Sequence, residues 1–331
     1  VFPGTPILRV TAPFREAVLV ESGILQAFNT ATLVATKAAR IVQAAQGRPV
    51  AEFGFRRAQA PLVAAYAARV GGCASTSLLA AAAEFAIPAS GTMPHALVQL
   101  FPSEAEAFRA VAAAHPRFRL LIDTYDTVRG AELAAEIGRW AHDTLGHDLV
   151  AVRLDSGDLD ALSRQVRAIL DAAGLTATQI LASGDLDEWQ IARLVARDAP
   201  IDAFGVGTAL VNGLGEVAEG VEGGALGGVY KLAWVEREDG QGQHPAIKTA
   251  EGKTTWPGRK RLARAPDFSE DLVVLDDEPL PVGYTHVLQP ALDGATLHDP
   301  FASDSIDDAT ARAAADLAAL PPAYRALRPS A

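Results

Sequence analysis

Two apolar runs of this 331-residue chain end in carboxylates and small polar residues. The run at 151–154 leads into Asp155 and a Ser-Gly-Asp sequence at 156–158, and the run at 180–182 leads into a second Ser-Gly-Asp sequence at 183–185. Buried parallel strands deliver the residues after them to one edge of the sheet, so this pattern is typical of an α/β active site. The carboxylates there could bind hydroxyl groups, hold a cation or pair with Arg153.

Other polar residues come after the remaining apolar runs. Asp123 and Asp126 come after the run at 118–122, and His95 lies in a loop of small residues after the run at 85–89. A histidine near carboxylates could act as an acid, a base or a phosphoryl acceptor, although isolated histidines are more often structural. Some of the aspartates are expected to be helix caps.

A glycine-rich sequence comes after the last of these runs, at 201–204. Gly205, Gly207 and Thr208 could bind a phosphate through backbone N–H groups, or could form an ordinary tight turn. Ser183 and Gly184 would supply neighbouring donors. The sequence therefore favours a phosphorylated ligand at this end of the predicted sheet.

Two adjacent arginines, Arg56 and Arg57, lie beside Phe53 and Phe55. A guanidinium group matches the geometry of a carboxylate or phosphate, and an aromatic face stacks on a flat ring. These residues predict a planar anionic ligand, and the alternative is a surface arginine pair with phenylalanines in the core. The basic run at 253–261 is similarly open to two interpretations, a solvated surface or a phosphate clamp.

The elements that must position these residues alternate between short strands and alanine-rich helices. Six strand–helix units at intervals of roughly 20 to 40 residues predict an α/β fold, specifically an irregular (β/α) barrel. One helix is predicted at 31–45, and another begins at Ser103, where Glu106 would complete a capping box. The predicted strands are 49–53, 85–89, 118–122, 149–154, 179–182 and 201–204.

The two ends of the chain predict a smaller β-rich domain. Residues 1–22 would belong to it, because residues 1–20 alternate like a strand. Residues 227–331 contain further strand-like runs, one of them at 271–275, and a final helix capped by Asp307 or Asp308. The barrel domain would then occupy residues 23–226. Because the only methionine is Met93, we expect that a segment precedes Val1 in the full protein.

Composition narrows the possible functions. A hydrophobic fraction of 49% is enough for a sizeable core, and a formal net charge of −11 argues against a nucleic-acid-binding surface. A single cysteine, Cys73, excludes a disulfide framework and fits a reducing cytoplasm. No apolar run is long enough to predict a membrane span.

Seven sequence strings, in their order along nearly the whole chain, resemble nicotinate phosphoribosyltransferase, a type II phosphoribosyltransferase. They lie at 36–40, 52–58, 90–95, 121–126, 153–158, 204–208 and 257–260.

The resemblance implies an enzyme that transfers phosphoribosyl from phosphoribosyl pyrophosphate to nicotinate, giving nicotinate mononucleotide for NAD salvage. It also implies coupling to ATP hydrolysis through a phosphorylated His95, and Mg²⁺ that arrives with the two phosphate-rich substrates and not at a dedicated metal site. The implied protein is a cytoplasmic homodimer in which a tyrosine of the partner subunit completes the ring site.

The same resemblance assigns roles to particular residues. It implies catalytic roles for His95, Arg153 and Asp155. The implied substrate-binding residues are Phe53 at the ring, Arg56 and Arg57 at the ring carboxylate or phosphates, Asp123 at the ribose, Ser183, Gly184, Asp185, Gly205, Gly207 and Thr208 around the 5′-phosphate, and Arg259 and Lys260 near the pyrophosphate or ATP.

Ser77 bears on the choice of acceptor. It matches a position where related nicotinamide enzymes carry an aspartate, which would repel a carboxylate, so serine favours nicotinate. The alternatives are a nicotinamide or quinolinate phosphoribosyltransferase of the same fold, or a truncated homologue without activity.

Overall fold

The computed structural model describes residues 4–218, 221–222, 224–237, 242–250, 255–299 and 302–327. The chain folds into two compact units. The terminal unit comprises Val1–Asn29 and Leu226–Ala331, and the central unit comprises Thr30–Ala225.

The central unit is built on a six-stranded sheet in which every neighbouring pair is parallel. The strand order is β2-β1-β6-β5-β4-β3, so the sheet forms a half-barrel. The predicted α/β architecture is therefore confirmed. The strands are β1 (Val50–Glu52), β2 (Ser75–Thr76), β3 (Arg117–Leu121), β4 (Asp148–Leu154), β5 (Gln179–Ala182) and β6 (Ala203–Val206), and a hairpin of β7 (Glu216–Ala218) and β8 (Val221–Glu222) comes after them.

One predicted barrel strand was wrong. The prediction was a strand at 85–89, but residues 79–85 form a helix. The strand in this part of the chain is Ser75–Thr76, and Thr76 forms a single isolated bridge to Ala89. Alanines at 80–83 favour a helix, and Ala81 of this helix is buried with Leu78 and Ala65, while Phe85 is partly buried against them. Pro88 has no N–H to donate to a strand ladder, so the run at 85–89 pairs poorly.

Helices connect the parallel strands, as a sheet of this type requires. Asp126, Asp158 and Asp187 are N-caps whose carboxylates accept backbone N–H groups, so these three aspartates are structural. The helices are α1 (Phe14–Leu19), α2 (Glu21–Ala44), α3 (Pro61–Val70), α4 (Leu79–Phe85), α5 (His95–Leu100), α6 (Glu104–Ala114), α7 (Thr127–Leu145), α8 (Leu159–Ala172), α9 (Glu188–Ala196), α10 (Thr208–Asn212), α11 (Ile306–Ala319) and α12 (Pro322–Arg325).

The core of the central unit lies between the sheet and the helices that connect its strands. Phe118, Leu120, Ile180 and Phe204 are fully buried, and burial of each such side chain contributes about 1.5–3 kcal/mol. Small residues let the helices approach closely. At Gly130 of α7, a Cβ would overlap the carbonyl oxygen of Ile122, so only glycine fits.

The terminal unit contains small antiparallel sheets and helical segments, which agrees with the predicted β-rich character. The strands pair as β9 with β10, β11 with β12 and β13, and β14 with β15. They are β9 (Trp234–Glu236), β10 (Gln243–Pro245), β11 (Lys260–Arg264), β12 (Asp271–Leu275), β13 (Thr285–His286), β14 (Leu292–Asp293) and β15 (Thr296–Leu297).

Two predictions about the chain ends were wrong. Among the described residues 4–20 there is no strand, and Phe14–Leu19 is a helix that begins after Pro13. Arg9 makes a side-chain hydrogen bond of 2.6 Å to Asp276 in place of strand pairing. At the other end Ser305 is the N-cap of α11, and Asp308 is its capping-box partner.

Candidate active site

Arg153, at the end of β4, connects the residues located after several strands. Its Nε donates to Ser183 Oγ at 2.7 Å, and its Nη1 donates to Thr92 Oγ1 at 2.8 Å. Its Nη2 donates to Asp155 Oδ1 at 2.7 Å, and the guanidinium lies 5.6 Å from the centre of the Phe53 ring. The Arg153 side chain therefore connects residues at the carboxyl ends of β1, β4 and β5 with the loop that precedes His95.

Asp155 is held in its ionised form. Partial burial alone would raise the pKa of this carboxyl group, but the Ser183 hydroxyl, which donates to Oδ1 at 2.6 Å, and the Arg153 guanidinium together lower it below its usual value. We call Arg153, Asp155 and Ser183 the rim network. Asp155 is a carboxylate at neutral pH, suited to stabilising positive charge and unsuited to donating a proton.

His95 is the first residue of α5, and its side chain is 41% exposed. Its Nδ1 lies 3.1 Å from Thr124 Oγ1, and its Nε2 lies 3.7 Å from Asp155 Oδ2. The imidazole is thus oriented by one hydroxyl group beside a carboxylate while it remains accessible from solvent. This environment suits proton or phosphoryl transfer.

Asp123 comes after β3 and binds the loop after β4. Its Oδ2 accepts from the Asp155 N–H at 3.0 Å and from Ser156 Oγ at 2.6 Å. Its Oδ1 is buried with no hydrogen-bond partner among the described residues. Glu104 lies nearby, and burial together with the charges of Asp123 and Asp126 raises its pKa. The site therefore contains a hydrogen-bond acceptor, Asp123 Oδ1, that no described protein group uses.

The two predicted phosphate segments meet the 3₁₀ turn Phe55–Arg57, which we call the arginine turn. Gly184 has φ +98°, and a Cβ there would overlap the Asp155 carbonyl oxygen. A Cβ at Gly205 would overlap the Phe53 ring, so both glycines permit close approach of neighbouring elements. Arg57 donates to Thr208 Oγ1, and its Nη1 is 3.8 Å from Asp185 Oδ1. Gly207 is the N-cap of α10 and directly precedes Thr208.

The predicted ring-binding residues lie at the ends of β1 and β2. Phe53 is half-buried beneath Arg153, and Ser77 comes after β2, where its N–H donates to the Glu52 carbonyl oxygen at 2.9 Å. Arg56 is exposed and, within the described part of the chain, forms no hydrogen bond or ion pair. Its guanidinium is therefore available to a ligand.

Arg259 and Lys260 lie in the terminal unit. Arg259 packs over the Trp234 ring at 5.3 Å and pairs with Glu236 at 3.1 Å. Lys260 donates to the Gly258 carbonyl oxygen at 2.9 Å, and burial lowers its pKa. Residues 253 and 254 of the same basic run are outside the described residues.

Several residues of the site were missed in the sequence. Three of them carry hydroxyl groups in loops at the strand ends and bind Arg153, His95 and Asp123, and the fourth is the first residue of α6. Small polar residues in such loops are the signal that could have identified them. The missed residues are Thr92, Thr124, Ser156 and Glu104.

Fold and site together define an α/β half-barrel protein with arginine, histidine and carboxylate groups at the carboxyl ends of its strands. No described helix has the length and apolar character needed to cross a membrane.

Comparison with known proteins identifies the family. A nicotinate phosphoribosyltransferase of Mycobacterium tuberculosis, pncB2, is 46% identical over 269 residues, which are 80% of this chain and 54% of that protein. The Bacillus subtilis enzyme is 41% identical over 84% of this chain and 57% of its own length. The chain thus spans about half the length of the curated relatives it matches. No protein-family model matches it.

Solved structures agree with the sequence comparison. The human nicotinic acid phosphoribosyltransferase superposes with a TM-score of 0.81 at 27% identity, covering 100% of this chain and 77% of that one. A nicotinate-nucleotide pyrophosphorylase from Pyrococcus furiosus superposes with a TM-score of 0.67 at 26% identity, covering 90% and 73%. The chain belongs to the nicotinate phosphoribosyltransferase family.

Proposed function

We propose that this protein transfers the phosphoribosyl group of phosphoribosyl pyrophosphate to the ring nitrogen of nicotinate. The products are nicotinate mononucleotide and pyrophosphate, and the reaction serves NAD salvage in the cytoplasm. The observation that carries the proposal is the rim network, in which Arg153 links Asp155 and Ser183 beside the Phe53 ring. Similarity to nicotinate phosphoribosyltransferases supports the choice of reaction.

The pyridine ring of the acceptor stacks on Phe53 in this proposal. The carboxylate of nicotinate meets Arg56, whose guanidinium has no protein partner among the described residues, with Arg57 beside it. Ser77 lies after the neighbouring strand and carries no charge that would repel a carboxylate. These groups explain why an acidic ring is a better acceptor than its amide.

Bond breaking at C1 of the ribose leaves positive charge on the sugar. Asp155, which is ionised at neutral pH, stabilises that charge, and Arg153 fixes the carboxylate in place. Ser183 and Gly184 with Gly205, Gly207 and Thr208 hold the 5′-phosphate. Catalysis in this scheme comes mainly from positioning and from electrostatic stabilisation.

Mg²⁺ would arrive with the pyrophosphate group. Within the part of the chain that the structure describes, no group of three or more His, Cys, Asp or Glu side chains is arranged to hold a metal ion. Mg²⁺ commonly binds to one or two carboxylates together with substrate phosphates, and Asp123 offers a buried oxygen for which the described residues supply no partner. The ion would supply charge neutralisation for the leaving pyrophosphate.

His95 would couple the reaction to ATP. An imidazole nitrogen attacks the γ-phosphorus, the bond to the β-phosphate oxygen breaks, and ADP leaves. Water later hydrolyses the phosphoimidazole and releases inorganic phosphate. Exposure of the ring and its orientation by Thr124 support this role. Arg259 and Lys260 are proposed to contact the pyrophosphate or ATP phosphates, and a homodimer is proposed as the working assembly.

The alternatives use the same fold with a different acceptor or with none. A nicotinamide enzyme would need no cation at this position, because its acceptor carries an amide in place of the carboxylate. A quinolinate enzyme would need additional cations for the second carboxylate of its acceptor. An available Arg56 beside Arg57 fits a single carboxylate. A non-catalytic homologue would not need the hydrogen-bonded rim network, which is complete in this chain.

The proposal is tested by acceptor selectivity. The purified full-length protein is incubated with phosphoribosyl pyrophosphate, Mg²⁺ and ATP, and with nicotinate, nicotinamide or quinolinate. We expect equal amounts of nicotinate mononucleotide and pyrophosphate, with nicotinate strongly preferred. Preference for nicotinamide or quinolinate, or no product with any acceptor, would overturn it.

A further inference from the structure

Glu52, the last residue of β1, carries a side chain that is buried beneath the ring site. The residue is only 2% exposed, and within the described residues no cation lies in ion-pair contact with its carboxylate. Its Oε1 accepts from the Gly54 N–H, and its Oε2 accepts from Thr76 Oγ1 at 2.6 Å. A buried carboxylate satisfied only by neutral donors is costly, so its presence calls for a reason.

Thr76, in β2, extends this arrangement. Its hydroxyl group donates to Glu52 and accepts from the Leu78 N–H at 3.1 Å. Thr76 is 1% exposed, so water does not compete for these bonds. We call the chain of bonds from Gly54 through Glu52 and Thr76 to Leu78 the Glu52 relay.

The relay joins the two segments that would receive the acceptor. Gly54 is the N-cap of the 3₁₀ turn Phe55–Arg57, which carries Arg56. Ser77 lies between Thr76 and Leu78, and its own N–H donates to the Glu52 carbonyl oxygen at 2.9 Å. One residue therefore fixes the arginine turn through its side chain and Ser77 through its backbone.

Other packing holds the same segments less directly. Gly54 approaches Val211 so closely that a Cβ would overlap its methyl groups, and Phe53 N–H donates to the Val206 carbonyl oxygen at 2.8 Å. These contacts maintain the fold around the turn but do not connect it to β2. The backbone pairing of β1 with β2 brings the two segments together, and the Glu52 relay adds a side-chain connection from Gly54 to Leu78.

We propose that Glu52 and Thr76 are positioning residues that set the spacing of Arg56 and Ser77, and thereby the affinity and selectivity for the acceptor's carboxylate. This inference rests on the proposed function. Neither residue contacts the acceptor, because both are buried. The relay acts by holding the two segments that do.

The test replaces the Thr76 hydroxyl group without changing the size of the side chain. Thr76→Val is expected to raise KM for nicotinate about tenfold while KM for phosphoribosyl pyrophosphate stays within about twofold, since a tenfold effect is typical of one lost charge-assisted bond. Thr76→Ser keeps the hydroxyl and is expected to restore KM. The preference for nicotinate over nicotinamide should fall with Thr76→Val.

Thr178→Val is the matched control. Thr178 is also buried, and its hydroxyl donates to the Leu149 carbonyl oxygen at 2.8 Å, but it precedes β5 at the amino-terminal end of that strand, away from the site residues. Thermal unfolding shows whether the two valine variants lose similar stability. We expect KM for nicotinate to change only in Thr76→Val.

Amide exchange measured without substrate reports on the relay independently of activity. The Gly54 and Leu78 amides should exchange faster in Thr76→Val and in Glu52→Gln than in the unaltered protein. An unchanged KM and selectivity in Thr76→Val, in a protein that uses nicotinate, would overturn this inference alone. Failure of the unaltered protein to use nicotinate would overturn the proposed function, and with it the role of Glu52 and Thr76 in acceptor selectivity.

Discussion

Two charged clusters of the central unit differ in the burial of their carboxylates and not of their arginines. The rim network is partly exposed, with the side chains of Arg153 and Asp155 18% and 27% accessible. The other cluster, which we call the buried triad, consists of Lys37, Arg40 and Glu188. Glu188 is fully buried, Lys37 Nζ lies 2.6 Å from its Oε2, and Arg40 Nε lies 2.9 Å from its Oε1.

The two clusters also differ in whether polar groups beside them are left without a protein partner. In the buried triad the carboxylate of Glu188 is surrounded by its two cations, and this arrangement ties α2 to the first turn of α9. Around the rim network, the His95 ring is exposed, and one buried oxygen of Asp123 has no hydrogen-bond partner among the described residues. Removing one partner of a buried ion pair is costly because it leaves an unpaired charge, whereas a partly open cluster can exchange protein contacts for ligand contacts.

The largest effect is expected from Glu188→Ala. Removing this carboxylate leaves Lys37 buried without its counter-ion, which should lower the free energy of unfolding by about 3–5 kcal/mol. Urea denaturation measures this loss, with activity per folded molecule assayed at low temperature. Retained stability with lost turnover would break the contrast between the clusters, because Glu188 would then act at the site.

Arg153→Lys should show the opposite division. Lysine cannot donate in a planar fork to Ser183, Thr92 and Asp155 together, so we expect kcat/KM to fall about 100-fold. The loss of stability should be clearly smaller than for Glu188→Ala. Steady-state kinetics beside urea denaturation checks this, and near-normal turnover would remove Arg153 from the proposed machinery.

His95→Ala should separate ATP coupling from the fold. We expect loss of ATP stimulation and of the acid-labile phosphoprotein, with stability changed by less than about 0.5 kcal/mol because the ring is exposed. Labelling with radioactive ATP provides the measurement. His142→Ala is the control, since His142 is also exposed and bonds Asp148 away from the rim. Label retained in His95→Ala would show that a different residue accepts the phosphoryl group.

The smallest effect concerns pH. The folded protein lowers the pKa of Asp155 below the ordinary value of 3.8, so Asp155 contributes stability that is fully present above that value. The contribution is lost as pH falls through the lower, folded-state pKa. Asp155→Asn should therefore be less stable than the unaltered protein at pH 7, and the difference should shrink at pH 3. A difference that grows in acid would contradict the ionised state of Asp155.

Much of the fold could be predicted from hydrophobic periodicity and from the polar residues at the strand ends. β5 and β12 were predicted to the residue, and the rim residues lie at strand ends as expected because parallel strands share one edge. The two-residue strand β2 was missed, since so short an element has no detectable alternation. Besides its pairing with β1, β2 forms one isolated bridge to Ala89, and Ala89 lies inside the run at 85–89 that was predicted as the strand.

Side-chain partnerships were harder to predict than elements. Arg153 and Asp155 share a strand end and could be paired from the sequence, but Thr92 and Ser183 reach Arg153 only through the folded sheet. Glu52 reads as an ordinary strand residue, and its burial depends on β2 lying beside β1. Long-range contacts of this kind are set by topology, which single-residue patterns do not encode.

A crystal structure of the full-length protein with nicotinate mononucleotide tests the proposed site most directly. We predict that the pyridine ring stacks on Phe53 with its carboxylate at Arg56, that the ribose lies by Asp155, and that the 5′-phosphate contacts the segments at 183–184 and 205–208. A mononucleotide bound away from the rim network, with Arg153 and Asp155 contacting only protein, would contradict it.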